Sequence, residues 1–180
     1  MHYSLRAATL DDRAELQELI ALSARQLSAG DYLPEQVEGA LRGAFGVDSQ
    51  LIRDGTYFVV HSGGSIVGCG GWSYRRTLFG SDNHADRESA ELEPGVDAAK
   101  IRAFFVDPAH ARKGIGTMLL DKCEQEARVQ GFRRVELMAT LPGVRLYAAR
   151  GYRGSDRITY EVAPGVTIEF VPMSKDLGKF

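Results

Sequence analysis

Cysteine is scarce in this sequence, and the placement of the few that occur excludes two kinds of site. The chain contains two cysteines, Cys69 and Cys123, which lie far apart and have neither a paired spacing nor a neighbouring histidine cluster. A disulfide framework needs several cysteines, and zinc sites need closely spaced cysteine or histidine ligands. We therefore expect neither a disulfide scaffold nor a bound metal.

Long apolar runs and an excess of one charge are also missing. No stretch approaches the length of a membrane-spanning helix, and residues 1–6 lack the apolar core of a signal peptide. The formal net charge is −2, so there is no overall basic field that would attract nucleic acid. These absences predict a cytoplasmic protein that binds neither a membrane nor nucleic acid.

The sequence does contain enough apolar material for a folded core. Hydrophobic residues make up 44% and charged residues 26% of the 180 residues, which is typical of globular proteins. Because domains commonly contain about 100–200 residues, we expect residues 1–180 to form a single domain.

Hydrophobic periodicity and turn residues predict an alternation of strands and helices. Thr9 is a typical N-cap residue and Gly30 a typical residue at a helix end, so a first helix is predicted between them. Pro34 favours the start of a second helix. Strands are predicted at residues 3–7, 57–61, 66–69 with a continuation to residue 74, 100–106, 132–139, 157–162 and 166–173, and later helices at 115–130 and around residues 146–147. Since a helix separates the strands at 100–106 and 132–139, we expect those two strands to be parallel.

The stretch around residues 104–116 has the composition of an anion-binding turn. Pro108 ends the preceding strand because proline cannot donate a backbone hydrogen bond. Gly114 and Gly116 then stand where the long helix begins, and the unpaired N–H groups of a helix start bind anions. Two basic residues at the same place, Arg112 and Lys113, add positive charge. The segment therefore predicts a phosphate-binding site.

Two common phosphate-binding motifs do not fit this segment. The nucleoside-triphosphate loop requires Gly-Lys-Ser/Thr at a fixed distance from its first glycine, and that tripeptide is missing here. The dinucleotide fingerprint requires a third glycine, and Leu119 occupies that position.

A different motif does fit. The segment resembles the coenzyme A-binding motif of the GCN5-related N-acetyltransferases, in which a strand ending in Val-x-Pro precedes Gln/Arg-x-x-Gly-x-Gly/Ala. Val106-Asp107-Pro108 and Gly114-Ile115-Gly116 match, whereas Ala111 takes the first motif position and Arg112 stands beside it. Downstream, Leu146-Tyr147-Ala148-Ala149-Arg150-Gly151-Tyr152 is similar to the family's second motif, Leu-Tyr-x-x-x-Gly-Phe/Tyr. The two motifs together cover the second half of the chain.

This resemblance implies a fold and a cosubstrate. The fold is of the α/β (α+β) type, with a mixed, mostly antiparallel sheet flanked by helices, whose central strands at 101–106 and 135–139 splay apart. The pantetheine arm of acetyl-CoA would enter the gap and pair with the backbone of Phe104 and Val106. The pyrophosphate would meet backbone amides and basic side chains at Arg112, Lys113, Gly114, Ile115, Gly116 and Thr117.

The resemblance also implies a reaction. An acetyl group would pass from acetyl-CoA to a primary amine by direct attack in a ternary complex, and Tyr147 matches the position that protonates the departing thiolate. The strand before the glycines offers Arg102 but no acidic residue, so the general base stays open among Glu136, Glu91, Glu93 and a water relay. The alternative is a noncatalytic acyl-CoA-binding module with a sensing or regulatory role.

The acceptor, a small-molecule or peptide amine, is not identified by the sequence. By resemblance, the loop between the first two helices would bring Tyr32 near the acceptor, and Trp72 with Tyr74 would wall its pocket; a core position is the alternative for the tryptophan. Residues 75–97 either contact the acceptor or form a solvated insertion. The oligomeric state also stays open, a homodimer included.

Overall fold

The computed structural model describes residues 1–84 and 87–178. Within them, one sheet of seven strands has the order β1-β2-β3-β4-β5-β7-β6. The strands are β1 Ser4–Ala7, β2 Tyr57–Ser62, β3 Ser65–Ser73, β4 Ala99–Val106, β5 Arg134–Thr140, β6 Ile158–Ala163 and β7 Val166–Asp176. The α-helices are α1 Arg13–Leu27, α2 Pro34–Ala40, α3 Ser49–Arg53, α4 Ile115–Val129 and α5 Val144–Ala149.

The helices cover the two faces of this sheet and enclose a separate core on each. On one face, α4 and α5 pack over the central strands through buried side chains such as Leu119, Cys123 and Tyr147. On the other face, α1, α2 and α3 contribute buried side chains such as Leu16 and Leu51. Burial of the Cys123 thiol raises its pKa well above the usual range, so this cysteine behaves as a small apolar core residue.

The two central strands pair with each other only at their beginnings. Strand β4 runs parallel to β5 and is in register with it at Ala99–Val135 and Lys100–Glu136. Beyond these pairs, β4 stays bonded to β3 as far as Val106, and β5 stays bonded to β7 through its last residue. Strand β4 therefore stays paired with β3, and β5 stays paired with β7, while β4 and β5 separate from each other and leave a wedge between them.

A bulge in β4 accompanies the opening. The register with β3 shifts between Cys69 and Gly71, and Ala103 has a positive φ of 54°. A non-glycine residue in this conformation is uncommon and needs local support. Tyr57 provides it, because its hydroxyl donates to the Ala103 carbonyl at 2.9 Å. Gly70 lies under the bulge, and a Cβ there would approach the Phe104 ring to 2.5 Å, which explains a glycine inside a buried strand.

The architecture predicted from the sequence is confirmed: the sheet is mixed and mostly antiparallel, its central strands splay, and helices flank it. The boundaries of the predicted strands agree with the structure to within a few residues. The short helix α3 was not predicted, since five residues are too few to show a helical period. No helix among the described residues is both long enough and apolar enough to cross a membrane.

Candidate active site

The start of helix α4 presents unpaired backbone amides. Gly114 caps the helix with φ +87°, and the helical ladder opens with the Met118 N–H donating to the Gly114 carbonyl at 3.0 Å. The amides of the first turn, residues 114–117, precede that bond and have no acceptor within the helix. Arg112 also has a positive φ, 60°, so the turn wraps tightly before the helix begins. This end of α4 therefore has the geometry and the dipole direction to bind an anion.

Gly116 brings α4 close to α5. A Cβ on Gly116 would lie 2.8 Å from Cδ2 of Leu146, so a side chain there would require Leu146 to move. The close approach places α5, which carries Tyr147, beside the amides of α4. Gly114 and Gly116 thus serve different purposes, since the first needs a left-handed backbone and the second needs space.

A groove of about 630 Å³ runs from the start of α4 into the wedge between the central strands. Its charged lining side chains are Arg112 and Arg145, and no aspartate or glutamate among the described residues lines it. His110 also lines the groove and lies within hydrogen-bonding distance of the Tyr3 hydroxyl, 3.0 Å from Nδ1 to Oη. Lys113 is exposed and does not line the groove. The lining is therefore positively charged at the end where the free amides lie.

Strand β4 forms one wall of the groove through Phe104, Phe105 and Val106. The Val106 N–H points away from β3 and donates to the Ser23 hydroxyl of α1 at 3.2 Å. Ser23 is buried and lines the same groove. The backbone donor predicted to meet pantetheine is thus directed into the groove and held there by a side chain.

Tyr147 lies at the inner end of the groove. Its side chain is 8% exposed, and its ring contacts Phe104 with 6.2 Å between centroids. The hydroxyl makes no hydrogen bond within the described part of the chain, whereas the neighbouring Tyr152 hydroxyl donates to Glu124. Burial, followed by the nearby Cys123, raises the pKa of Tyr147 above its usual range. Tyr147 therefore keeps its proton at neutral pH.

A second, smaller cavity of about 60 Å³ meets the groove at Tyr147. Both cavities are lined by Phe45, Phe104, Phe105, Thr140 and Tyr147. The small cavity lies within the wedge, because β4 and β5 both contribute to its wall, and three residues of the long loop, 78–80, cover it. A molecule in the groove and another in the small cavity would meet at the Tyr147 side chain.

Comparison with known proteins agrees with this geometry. The sequence profile of the acetyltransferase (GNAT) family matches residues 21–152. The chain belongs to the GNAT family. No curated protein sequence matches it significantly.

Solved structures of GNAT proteins have the same fold. A GCN5-related N-acetyltransferase from Rhodopseudomonas palustris is 22% identical with a TM-score of 0.70, over 98% of this chain and 96% of that one. The PaiA N-acetyltransferase from Thermoplasma acidophilum, solved with coenzyme A, is 16% identical with a TM-score of 0.66, over 98% and 99%. A GNAT acetyltransferase from Brucella melitensis, solved with acetyl-CoA, is 17% identical with a TM-score of 0.58, over 99% and 90%.

In this GNAT chain, a buried ion pair holds the long loop over the small cavity. Arg102 of β4 is 3% exposed and donates to Asp48 Oδ2 and to the Gly80 carbonyl, both at 2.8 Å. It also donates to the Thr77 carbonyl at 3.2 Å, and Arg87 donates to Asp48 Oδ1 at 2.8 Å. The described part of the loop is therefore fastened to the sheet, which favours the binding-loop interpretation over a solvated insertion. Ala85 and Asp86 lie outside the described residues.

Tyr32, predicted near the acceptor, lines neither cavity of the GNAT site. It is 4% exposed, and its hydroxyl donates to the Glu169 carbonyl at 2.6 Å and accepts from the Leu141 N–H at 2.9 Å. Burial raises its pKa to about 12. Tyr32 thus fixes the turn that leads into α5.

Trp72 and Tyr74 lie away from Tyr147 as well. Trp72 is 2% exposed, packs on Phe132 and donates from Nε1 to Glu126 of α4 at 3.1 Å. Both aromatic residues line a third groove, which shares no lining residue with the two cavities at Tyr147. Trp72 stands opposite Ile101, near the paired beginning of β4, whereas the wedge opens towards the other end of that strand.

The carboxylates considered as general base do not line the two cavities at Tyr147 either. Glu136 forms an ion pair with Lys100 at the paired end of the wedge. Glu91 forms an isolated backbone β-bridge with Arg75 and lines the third groove. The backbone N–H of Glu93 donates to the Asp97 carboxylate. No described aspartate or glutamate lines either cavity at Tyr147.

Three residues that shape the GNAT site were not predicted as site residues. Ser23 stands on the apolar stripe of α1, and a polar residue in such a stripe was the available signal. Arg145 lies two residues before Tyr147 and was overlooked because it falls outside the glycine motif. The role of Arg102 depends on Asp48, 54 positions away, and no local pattern connects them.

Proposed function

We propose that this GNAT chain transfers the acetyl group of acetyl-CoA to a primary amine by direct attack in a ternary complex. The observation that carries the proposal is the meeting of two cavities at Tyr147, one with a cationic lining and free amides, the other enclosed by the long loop. Two substrates bound in them would have their reacting ends at one phenol. Direct transfer needs such proximity, because it converts an encounter of two molecules into a step within one complex.

The groove has the groups that acetyl-CoA would need. The pyrophosphate would accept hydrogen bonds from the amides at residues 114–117, with Arg112 and Arg145 supplying counter-charge. The pantetheine arm would run along β4 and pair with the backbone of Phe104 and Val106. That pairing displaces the Ser23 hydroxyl from the Val106 amide. Lys113 would contribute charge at longer range only.

In the proposed step, the neutral amine nitrogen attacks the thioester carbonyl carbon. A C–N bond forms and the C–S bond breaks, which gives an amide and the free thiol of CoA. The nitrogen loses a proton to water, the sulfur takes a proton from Tyr147, and Tyr147 regains one from solvent. Tyr147 carries its proton at neutral pH, with its pKa raised further by burial, and an acid in this position contributes about 10²–10⁴-fold.

The rival is a noncatalytic module that senses or reports acyl-CoA. One observation favours it: no described carboxylate lines either cavity to act as general base. The retained Tyr147, with its hydroxyl uncommitted, favours the transferase.

Calorimetric titration with acetyl-CoA, followed by a thiol-release assay over a panel of amines, separates the two functions. The transferase predicts saturable binding and thiol release that depends on an amine. The sensor predicts tight binding with no release above the rate of spontaneous hydrolysis for any amine. A protein that binds no acetyl-CoA would exclude both.

A further inference from the structure

Most of the residues that line the small cavity at Tyr147 are apolar. The central strands contribute Phe105 and Met138, β7 contributes Phe170, the long loop contributes Leu78 and Phe79, and Phe45 closes one side. Phe45 packs edge-on against Phe105 and Phe170, with ring centroids 5.7 and 6.3 Å apart. Such a wall stabilises an apolar group, whereas it offers a charged one only contacts with aromatic rings in place of its lost water.

The polar and charged groups near the cavity do not alter this conclusion. Arg102 lines it, but its guanidinium is already bonded to Asp48 and to two loop carbonyls. Tyr147 is neutral at physiological pH because its pKa is raised by burial. His84 packs behind the Phe79 ring, 5.0 Å between centroids, and does not line the cavity. Among the described residues, therefore, no carboxylate is placed to pair with an ammonium group inside.

The volume also limits what can enter. About 60 Å³ is the space of roughly four to six water molecules. A short alkyl chain fits this space, whereas a sugar ring or a peptide backbone does not. Arg102, which is paired with Asp48, donates to the Thr77 and Gly80 carbonyls of the loop that covers the cavity, so this limit is built into the fold.

From these three observations, and on the basis of the proposed acetyl transfer, we infer that the acceptor is a small monoamine with an uncharged, apolar body. Amines with a second cationic group, such as polyamines and aminoglycosides, are disfavoured because the second charge would be buried without a carboxylate partner and beside Arg102.

The same wall also favours deprotonation of the amine. Transfer of an ammonium group from water into an apolar cavity disfavours its charged form, so the proton is released to solvent as the amine enters. The reactive species then arrives without a general base on the protein. Attack, loss of the second nitrogen proton to water and protonation of the sulfur by Tyr147 proceed as described above.

The test compares butylamine with 1,4-diaminobutane, which have the same chain length and differ by one amino group. We expect kcat/KM for butylamine to be at least about tenfold higher, since burying one unpaired ammonium costs more than 1.4 kcal/mol. Leu78→Glu places a carboxylate in the wall and should shift the preference towards the diamine by about tenfold. Leu78→Gln is the matched control of similar size and should leave the preference unchanged.

The pH profile provides an independent readout. Since kcat/KM reports groups of the free reactants, its inflection should follow the pKa of the amine and move when butylamine is replaced by the less basic allylamine, whose short chain also fits the cavity. An inflection that stays fixed for both amines would show a base on the protein and overturn the inference. Asp86→Asn, at an acidic residue outside the described part of the chain, should keep both the amine preference and the profile; a changed profile would also overturn it.

The remaining outcomes distinguish the inference from the function beneath it. Faster turnover of the diamine, or of a peptide N-terminus, than of any small monoamine would refute the inference and leave the acetyltransferase standing. Binding of acetyl-CoA without thiol release for any amine would refute the acetyltransferase, and the acceptor class with it.

Discussion

Replacing Tyr147 by phenylalanine removes one hydroxyl and separates catalysis from folding. The Tyr147 ring would keep its packing against Phe104 and Tyr152, with centroids 6.2 and 5.7 Å apart. Because the hydroxyl makes no hydrogen bond within the described residues, its loss should change the free energy of unfolding by less than about 1 kcal/mol. If the hydroxyl protonates the departing sulfur, kcat should fall about 10²–10⁴-fold, or about 3–5 kcal/mol of barrier.

The assay is thiol release at saturating acetyl-CoA and amine, together with urea unfolding and calorimetric CoA binding of the same preparation. Tyr152→Phe is the matched control, since Tyr152 is buried beside Tyr147 but donates to Glu124 Oε1 at 3.0 Å. It should lose about 1–3 kcal/mol of stability and keep its kcat. The reasoning is refuted if Tyr147→Phe retains more than a tenth of wild-type kcat, or if its CoA affinity falls along with kcat.

Three further predictions concern the surroundings of the site. Arg102→Met leaves Asp48 buried with a lost partner and should cost about 3–5 kcal/mol in urea unfolding; a loss below 1 kcal/mol would contradict the anchoring role. Ser23→Ala frees a main-chain amide of β4 for the cosubstrate and should tighten CoA binding roughly fivefold by calorimetry, about 1 kcal/mol; weaker binding would show that the hydroxyl itself contacts CoA. The hydrogen bond from Arg6 lowers the pKa of Asp12 to about 2. The ion pair therefore stabilises the folded protein fully at pH values above about 4, the pKa of this carboxyl in the unfolded chain, and that stabilisation is lost as the pH falls through about 2. Asp12→Asn should therefore cost about 1 kcal/mol or less at pH 7 and clearly less at pH 2, where about half of the folded molecules have this carboxyl protonated; an equal loss at both pH values would exclude the ion pair as its cause.

The sequence predicts the fold correctly where the residue type itself determines the backbone conformation. Pro108 ended the strand and Gly114 began the helix, because one residue lacks a donor and the other tolerates positive φ. The helix between β4 and β5 made their parallel pairing an expectation of chain topology. The bulge at Ala103 had no such signal, since alanine rarely adopts positive φ and does so here under a bond from Tyr57. That residues 1–180 form one domain stays a prediction.

The residues that line the proposed acceptor cavity were harder to predict, because that cavity depends on contacts between residues far apart in the sequence. Trp72 stands on β3 and Tyr74 directly follows that strand, but a sequence does not say how far along β3 the wedge begins. The sequence of residues 75–97 indicates a polar, irregular loop. In the structure, Arg102, paired with Asp48, donates hydrogen bonds to carbonyls of this loop and fastens it to the sheet. Its residues 78–80 line the cavity, and only the folded chain brings them to Tyr147.

The central claim is that the first turn of α4 binds the pyrophosphate of CoA and directs its sulfur towards Tyr147. The most direct measurement is a CoA titration of the ¹⁵N-labelled protein followed by amide NMR. We predict that the largest shifts occur at the amides of residues 114–117, and that pantetheine, which lacks the pyrophosphate, leaves those amides unmoved while shifting Phe104 and Val106. Saturation with CoA that moves other amides and leaves residues 114–117 in place would contradict the account.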